Sequence, residues 1–251
     1  MNVAFISAVL PVLLLLWFVR RKDNLNPEPV GKLILAFFMG CLSVVPAAVQ
    51  EMFLSSFAPS HPVLEGVYTG YVVAGFSEEL WKLLLLILVI WKSRHFDEYF
   101  DGIVYAVFLS MGFACVENVQ YVMGGSDPLG TALMRGLLAV PAHFLFAVTM
   151  GYYLSLAKFD PQHRVSHFLK ALLYPLLLHG TYDSLLMVSS NLQGSESPVS
   201  MLVCIVLFVV FVVFDIRMWR WGLKRIKRLQ ERSKEQGFDP LNPFEGFKWY
   251  I

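Results

Sequence analysis

Charged residues are scarce in this chain, and their scarcity decides the class of protein. Only 16% of the 251 residues are Asp, Glu, Lys or Arg, against about 25% in an average soluble domain. Apolar residues make up 57% of the chain, and the mean hydropathy is +0.59. This composition excludes an ordinary soluble domain and predicts an all-α polytopic membrane protein.

Cysteine is also rare. The three cysteines, Cys41, Cys115 and Cys204, fall within apolar runs and share no paired spacing. We therefore expect neither a disulfide framework nor a cysteine metal cluster. The sequence also lacks internal repeats, low-complexity tracts, nucleic-acid-binding motifs and the HExxH pattern of zincin proteases.

Seven apolar runs predict seven transmembrane helices. They cover residues 3–19, 33–53, 67–91, 102–123, 131–156, 167–188 and 201–219. Of the 20 Lys and Arg residues, all but Lys82 and Arg135 lie by the loops after spans one, three and five or at and beyond the end of span seven. The positive-inside rule then places the N-terminus outside and the C-terminus in the cytoplasm. Arg135, near the outer start of span five, is interpreted as an interface anchor.

The predicted domain organisation is a transmembrane bundle of residues 1–219 followed by a basic cytoplasmic tail, 220–251. The stretch 217–236 mixes basic and apolar residues, which favours a helix on the anionic inner leaflet or a plain cytoplasmic anchor. An acidic stretch, 97–101, is expected to be solvated surface. Asp101 at its end is expected to cap the fourth span.

The third apolar run contains three charged side chains, Glu78, Glu79 and Lys82. Each ionised group near the bilayer centre costs about 2.5–3.5 kcal/mol on insertion scales. Lys82 follows the two glutamates by four and three residues, so all three can meet on one helix face. An ion pair that holds helices together would explain them, and a functional site needs partners elsewhere in the chain.

Four such partners are present on other spans: Glu117, His143, His179 and Asp183. At about 1.5 Å per residue along each helix, all of them lie near the membrane midplane or in its outer half. Two imidazoles and a carboxylate are ligands that catalytic zinc prefers. We therefore predict a divalent metal, Zn²⁺ by preference, bound by Glu117, His143 and His179, with Asp183 either binding the metal or orienting His179.

These residues stand in recognisable motifs that follow one another along successive spans. The motifs are Glu78-Glu79-x-x-Lys82, Asp101-Gly102, Gly112-Phe113-Ala114-x-x-Glu117-Asn118, Ala142-His143-x-Leu145-Phe146 and His179-Gly180-x-x-Asp183. Over about residues 66–190 the chain resembles the PrsW family of bacterial intramembrane metalloproteases. It resembles more distantly the CAAX prenyl endopeptidases and bacteriocin-immunity proteins, but Glu117 fits the PrsW pattern and not that of the prenyl proteases.

The resemblance implies a multi-pass endopeptidase of the bacterial cytoplasmic membrane that cleaves a membrane-spanning protein. An anti-sigma factor in envelope-stress signalling is the substrate of founding members. In the mechanism that this implies, Glu78 is the general base, Glu79 orients a ligand or the attacking water, and Lys82 fixes the pair. The sequence separates the roles of Glu78 and Glu79 only weakly, with a slight preference for Glu78 as the base.

Two other functions fit the same residues. A proton- or ion-coupled transporter would use the carboxylates and histidines as a relay, although the sequence shows no inverted repeat. A catalytically inactive protein would bind transmembrane helices and tolerate loss of the histidines. The sequence determines neither the substrate nor the oligomeric state.

Overall fold

The protein is helical throughout the part of the chain that the structure describes. This computed structural model describes residues 3–193 and 197–236. The α-helices are α1 (Val3–Lys22), α2 (Val30–Ser55), α3 (Pro62–Tyr68), α4 (Ser77–Ile90), α5 (Asp101–Gly124), α6 (Pro128–Leu137), α7 (Ala139–Phe159), α8 (Arg164–Leu192) and α9 (Pro198–Glu235). A π-helical segment, Thr69–Phe76, and a 3₁₀ turn, Pro161–His163, complete the order. The all-α prediction is confirmed.

Six helical stretches are long and apolar enough to cross a membrane. They are α1, α2, α5, the run Pro128–Phe159, the run Pro161–Leu192 and α9. The predicted third span coincides with a continuous helical run from α3 to α4 that is divided by the π-helical segment. Neither α3 nor α4 alone has the roughly 20 residues that a crossing needs. The seventh crossing and the orientation in the membrane therefore stay predictions.

The π-helical segment packs tightly against α8. A β-carbon on Gly180 would collide with the ring of Tyr71, and one on Gly75 would lie 3.2 Å from the backbone nitrogen of Gly180. Small residues allow helix backbones in a membrane to approach this closely. The contact matters for the site because Gly180 follows His179 and Gly75 lies three residues before Glu78.

The predicted fifth span is broken at Leu138, where α6 ends and α7 begins. Pro141 accounts for the break, since it has no backbone N–H to donate to the carbonyl of Leu137. His143 lies five residues after this break, near the start of α7.

Helices α5 and α7 form the centre of the bundle. The apolar window of α5 is 72% buried and that of the run containing α7 is 56% buried, against 6% for α9. The outer faces of α1, α2 and α9 carry exposed apolar side chains such as Leu14, Phe38 and Phe208, as expected for helices that face lipid. Polar groups on α5 and α7 are thus shielded from lipid by the other helices.

Helix α9 continues without a break across the predicted domain boundary at residue 219. Its last part buries Gly222, Ile226, Leu229 and Ser233, so this face contacts the protein. Residues 237–251 of the predicted tail lie outside the described residues.

The prediction that the acidic stretch 97–101 is solvated is wrong. Glu98 is 1% exposed and Asp101 is fully buried. Asp101 Oδ2 accepts hydrogen bonds from the backbone N–H groups of Asp97 and Glu98, at 2.9 and 2.7 Å. The side chain of Asp101 therefore orders the loop before α5 instead of capping the helix.

Candidate active site and metal centre

The ammonium group of Lys82 lies at the centre of the polar cluster inside the bundle. Its Nζ atom donates to Glu78 Oε2 and Glu79 Oε1, both at 2.9 Å, and lies 3.2 Å from His143 Nδ1. The ring of Phe113 covers the ammonium at 4.0 Å from the ring centroid. Lys82 is fully buried, so it acts as a fixed cation that positions both glutamates.

His143 links Lys82 on α4 to Glu117 on α5. Its Nε2 atom lies 2.8 Å from Glu117 Oε2, and its backbone carbonyl accepts a hydrogen bond from Ser110 Oγ at 3.1 Å. Both nitrogen atoms of the imidazole therefore have partners. The position of the ring is fixed from two neighbouring helices.

His179 on α8 lies against the other side of the glutamate pair. Its Nδ1 atom is 2.9 Å from Glu79 Oε1, and its Nε2 atom is 3.2 Å from Asp183 Oδ2 and 4.0 Å from Glu78 Oε2. The ring of Phe146 stacks on the imidazole, with centroids 4.7 Å apart and planes inclined by 18°. This packing leaves the imidazole little freedom to rotate.

Four of these residues can offer ligand atoms to one metal ion. Glu78, Glu79, His143 and His179 are all buried, and one donor atom from each lies within 4.8 Å of the others. The Oε2 atom of Glu79 is buried and has no hydrogen-bond partner in the described part of the chain, although such atoms are normally satisfied. Two imidazoles, two carboxylates and an unsatisfied oxygen fit a divalent cation of the zinc class.

The remaining predicted ligands occupy a different position. Glu117 is bonded to His143, and Asp183 to His179, so each carboxylate contacts one imidazole. Neither belongs to the group of four whose donor atoms converge. A carboxylate bonded to a histidine commonly fixes the tautomer and direction of a metal-binding ring.

Arg135 belongs to the polar cluster, a role that the interpretation as an interface anchor missed. Its Nη2 atom lies 3.0 Å from Glu117 Oε2, and its Nε atom donates to Asn118 Oδ1 at 2.9 Å. Asn118 in turn donates to the backbone carbonyl of Ala8 at 2.7 Å. The signal was present in the sequence, because Arg135 and Lys82 are the two basic residues away from the basic loops.

Two cavities reach this cluster. A cavity of about 260 Å³ is lined by both histidines, and a larger one of about 750 Å³ is lined by Glu78. Glu117, Arg135 and Asp183 line both. Glu79 and Lys82 line neither, so of the two adjacent glutamates it is Glu78 that faces open space.

Comparison with known proteins identifies the family. The PrsW family intramembrane metalloprotease profile matches residues 28–214. The chain is 34% identical over 241 residues to Protease PrsW of Clostridioides difficile (strain 630), covering 94% of this chain and 95% of that protein. It is 37% identical over 191 residues to Protease PrsW of Bacillus subtilis (strain 168), covering 75% and 85%. No solved structure matches the chain. The chain belongs to the PrsW family of intramembrane metalloproteases.

Proposed function

We propose that this protein is a metal-dependent endopeptidase that cleaves a membrane-spanning protein substrate inside the bilayer. The observation that carries the proposal is the convergence of Glu78, Glu79, His143 and His179 within 4.8 Å in a buried site. An anti-sigma factor of the bacterial cytoplasmic membrane is the substrate we propose to test first, as the PrsW resemblance implies.

We assign the metal to His143, His179 and Glu79. The unpartnered Oε2 atom of Glu79 and the buried position of its side chain support a ligand role. Zinc held there would polarise the scissile carbonyl and lower the pKa of a water molecule. Glu117 and Asp183 then orient one imidazole each. This assignment differs from the sequence-based set, in which Glu117 is a ligand.

Glu78 is assigned as the general base because it is the glutamate of the pair that lines the larger cavity. Its carboxylate takes a proton from the attacking water and returns it to the leaving amine. Lys82, at 2.9 Å from Glu78 Oε2, holds the carboxylate in position. Glu79 and Lys82 are buried by the surrounding helices, which strengthens these electrostatic contacts.

The test compares metal content and cleavage in the same purified variants. We expect Glu78→Gln to keep its metal and lose cleavage of a reconstituted anti-sigma substrate. We expect Glu79→Gln and the double variant His143→Ala/His179→Ala to lose both. Glu65→Gln, which changes an exposed carboxylate on α3, is the matched control and should behave like the wild type.

Two results would contradict the proposal. The first is a folded double histidine variant that keeps the metal of the wild type. The second is a Glu78→Gln variant that cleaves at the wild-type rate. A Glu79→Gln variant that keeps its metal would refute the assignment of Glu79 as ligand while leaving the protease function in place.

A further inference from the structure

A second group of buried carboxylates lies at the opposite end of α5. Asp23, Glu98 and Asp101 are 3%, 1% and 0% exposed, and one donor atom from each lies within 4.8 Å of the others. Asp101 is 16 residues before Glu117, a distance of about 24 Å along an α-helix. This group is therefore separate from the candidate active site.

Asp23 and Asp101 are each held in place by hydrogen bonds to one of their two carboxylate oxygens. Asp23 Oδ2 accepts from the backbone N–H of Glu28 at 2.9 Å and from Arg20 Nη1 at 2.8 Å. Asp101 Oδ2 accepts from the two backbone N–H groups in the loop before α5. Each carboxylate is thus oriented by one oxygen, which leaves its second oxygen available.

Among residues 3–193 and 197–236, no N–H or O–H group donates a hydrogen bond to one oxygen of each carboxylate. Asp23 Oδ1, Glu98 Oε2 and Asp101 Oδ1 are all buried without a hydrogen bond. An unsatisfied buried polar group costs about 1–3 kcal/mol, and more if it is charged. Three such atoms, one from each of three adjacent carboxylates, indicate a ligand that accepts electron pairs from oxygen.

The negative charge around Asp23, Glu98 and Asp101 also favours a bound cation. Glu28 and Asp97 also converge on Asp101, which brings five carboxylates together. Among the ion pairs formed by residues 3–193 and 197–236, Arg20 supplies the one cation bound to them. Buried charges are normally paired or bound to metals, so five neighbouring carboxylates with one cationic partner favour a further cation.

We propose that Asp23, Glu98 and Asp101 bind a hard divalent cation of the Ca²⁺ and Mg²⁺ class. All-oxygen carboxylate sites prefer such ions, whereas imidazole-containing sites prefer zinc. The ion joins the connection after α1 to the loop before α5. It also supports α9, because the backbone N–H of Phe100, between Glu98 and Asp101, donates to Ser233 Oγ at 2.9 Å.

The direct test is titration of the full-length detergent-purified protein with Mn²⁺, followed by electron paramagnetic resonance, with Mg²⁺ and Ca²⁺ as competitors. We expect a bound Mn²⁺ that both ions displace and that persists in the His143→Ala/His179→Ala variant. Asp23→Asn and Glu98→Gln should weaken it by at least about tenfold, since affinity follows the ligand charge. Glu231→Gln, an exposed carboxylate on α9, is the control and should bind Mn²⁺ like the wild type.

A measurement on the wild type alone covers the case in which a variant fails to fold. We expect Mg²⁺ or Ca²⁺ to raise the melting temperature at neutral pH relative to sodium at equal ionic strength. The proposal is overturned if neither ion raises it, because protons then suffice to satisfy the carboxylates. It is equally overturned if Asp23→Asn and Glu98→Gln fold and bind Mn²⁺ as tightly as Glu231→Gln.

Discussion

Replacement of Lys82 by methionine is the sharpest test of the electrostatic design of the site. The substitution keeps an unbranched side chain that is one atom shorter and removes a buried charge that contacts Glu78 and Glu79 at 2.9 Å each. Two buried carboxylates then face each other without a cation. Removing one partner from a buried ion pair costs about 3–5 kcal/mol, so we expect a loss of this size together with loss of cleavage.

The assay is reversible unfolding in mixed micelles of sodium dodecyl sulfate, with a chelator present so that bound metal does not mask the effect. Lys227→Met is the matched control. The Lys227 side chain is 79% exposed and its Nζ atom lies 3.8 Å from Glu231 Oε1. An exposed pair of this kind contributes at most about 1 kcal/mol.

Adding Glu79→Gln to Lys82→Met removes one of the two uncompensated charges. We therefore expect the double variant to be more stable than Lys82→Met alone, since residues in contact do not contribute additively. The reasoning is refuted if Lys82→Met loses no more stability than Lys227→Met, or if the second substitution adds its full destabilisation to the first.

Three further predictions concern the groups around the metal centre. Glu117→Gln should lower cleavage about 10–100-fold through a misoriented His143. The zinc content of the same samples, measured per folded chain beside the activity, separates this effect from a loss of folded protein. Gly180→Ala should cost about 1–3 kcal/mol by overpacking, because its β-carbon would collide with Tyr71. In the same unfolding assay, Gly31→Ala, which meets no atom within 4 Å, should not be destabilised. A zinc chelator should abolish cleavage and added zinc should restore it; undiminished cleavage after complete removal of metal would contradict a metal-dependent mechanism.

The helical class and the family could be predicted from the sequence because their signals are local and strong. Apolar runs predict helices wherever they occur, and charged residues inside them are few enough to be noticed individually. Glu78, Lys82, His143 and His179 could be predicted as site residues for that reason, and in the structure they belong to one polar cluster. A charged or strongly polar side chain inside a membrane costs free energy, so such residues usually have a structural or functional role.

Features that depend on partners far away in the chain could not be predicted from the sequence. Asp101 and Glu98 look like a polar loop, and their burial arises from contacts with residues near Asp23 and with Ser233 on α9. Glu79 and Glu117 are both carboxylates inside apolar runs. Only the direction of each side chain distinguishes the one that points toward both histidines from the one that is bonded to His143.

The π-helical segment before Glu78 and Glu79 restricts which insertions and deletions this part of the chain can accept. A π turn holds about one residue more than an α turn, and each residue of an α-helix rotates the chain by about 100°. Deleting one codon between Thr69 and Phe76 would let the segment relax into α-helix, but it would turn Glu78 and Glu79 away from the histidines or turn α3 away from α8. A one-residue deletion in this stretch is therefore expected to disturb the site more than a substitution at a position that does not pack against α8.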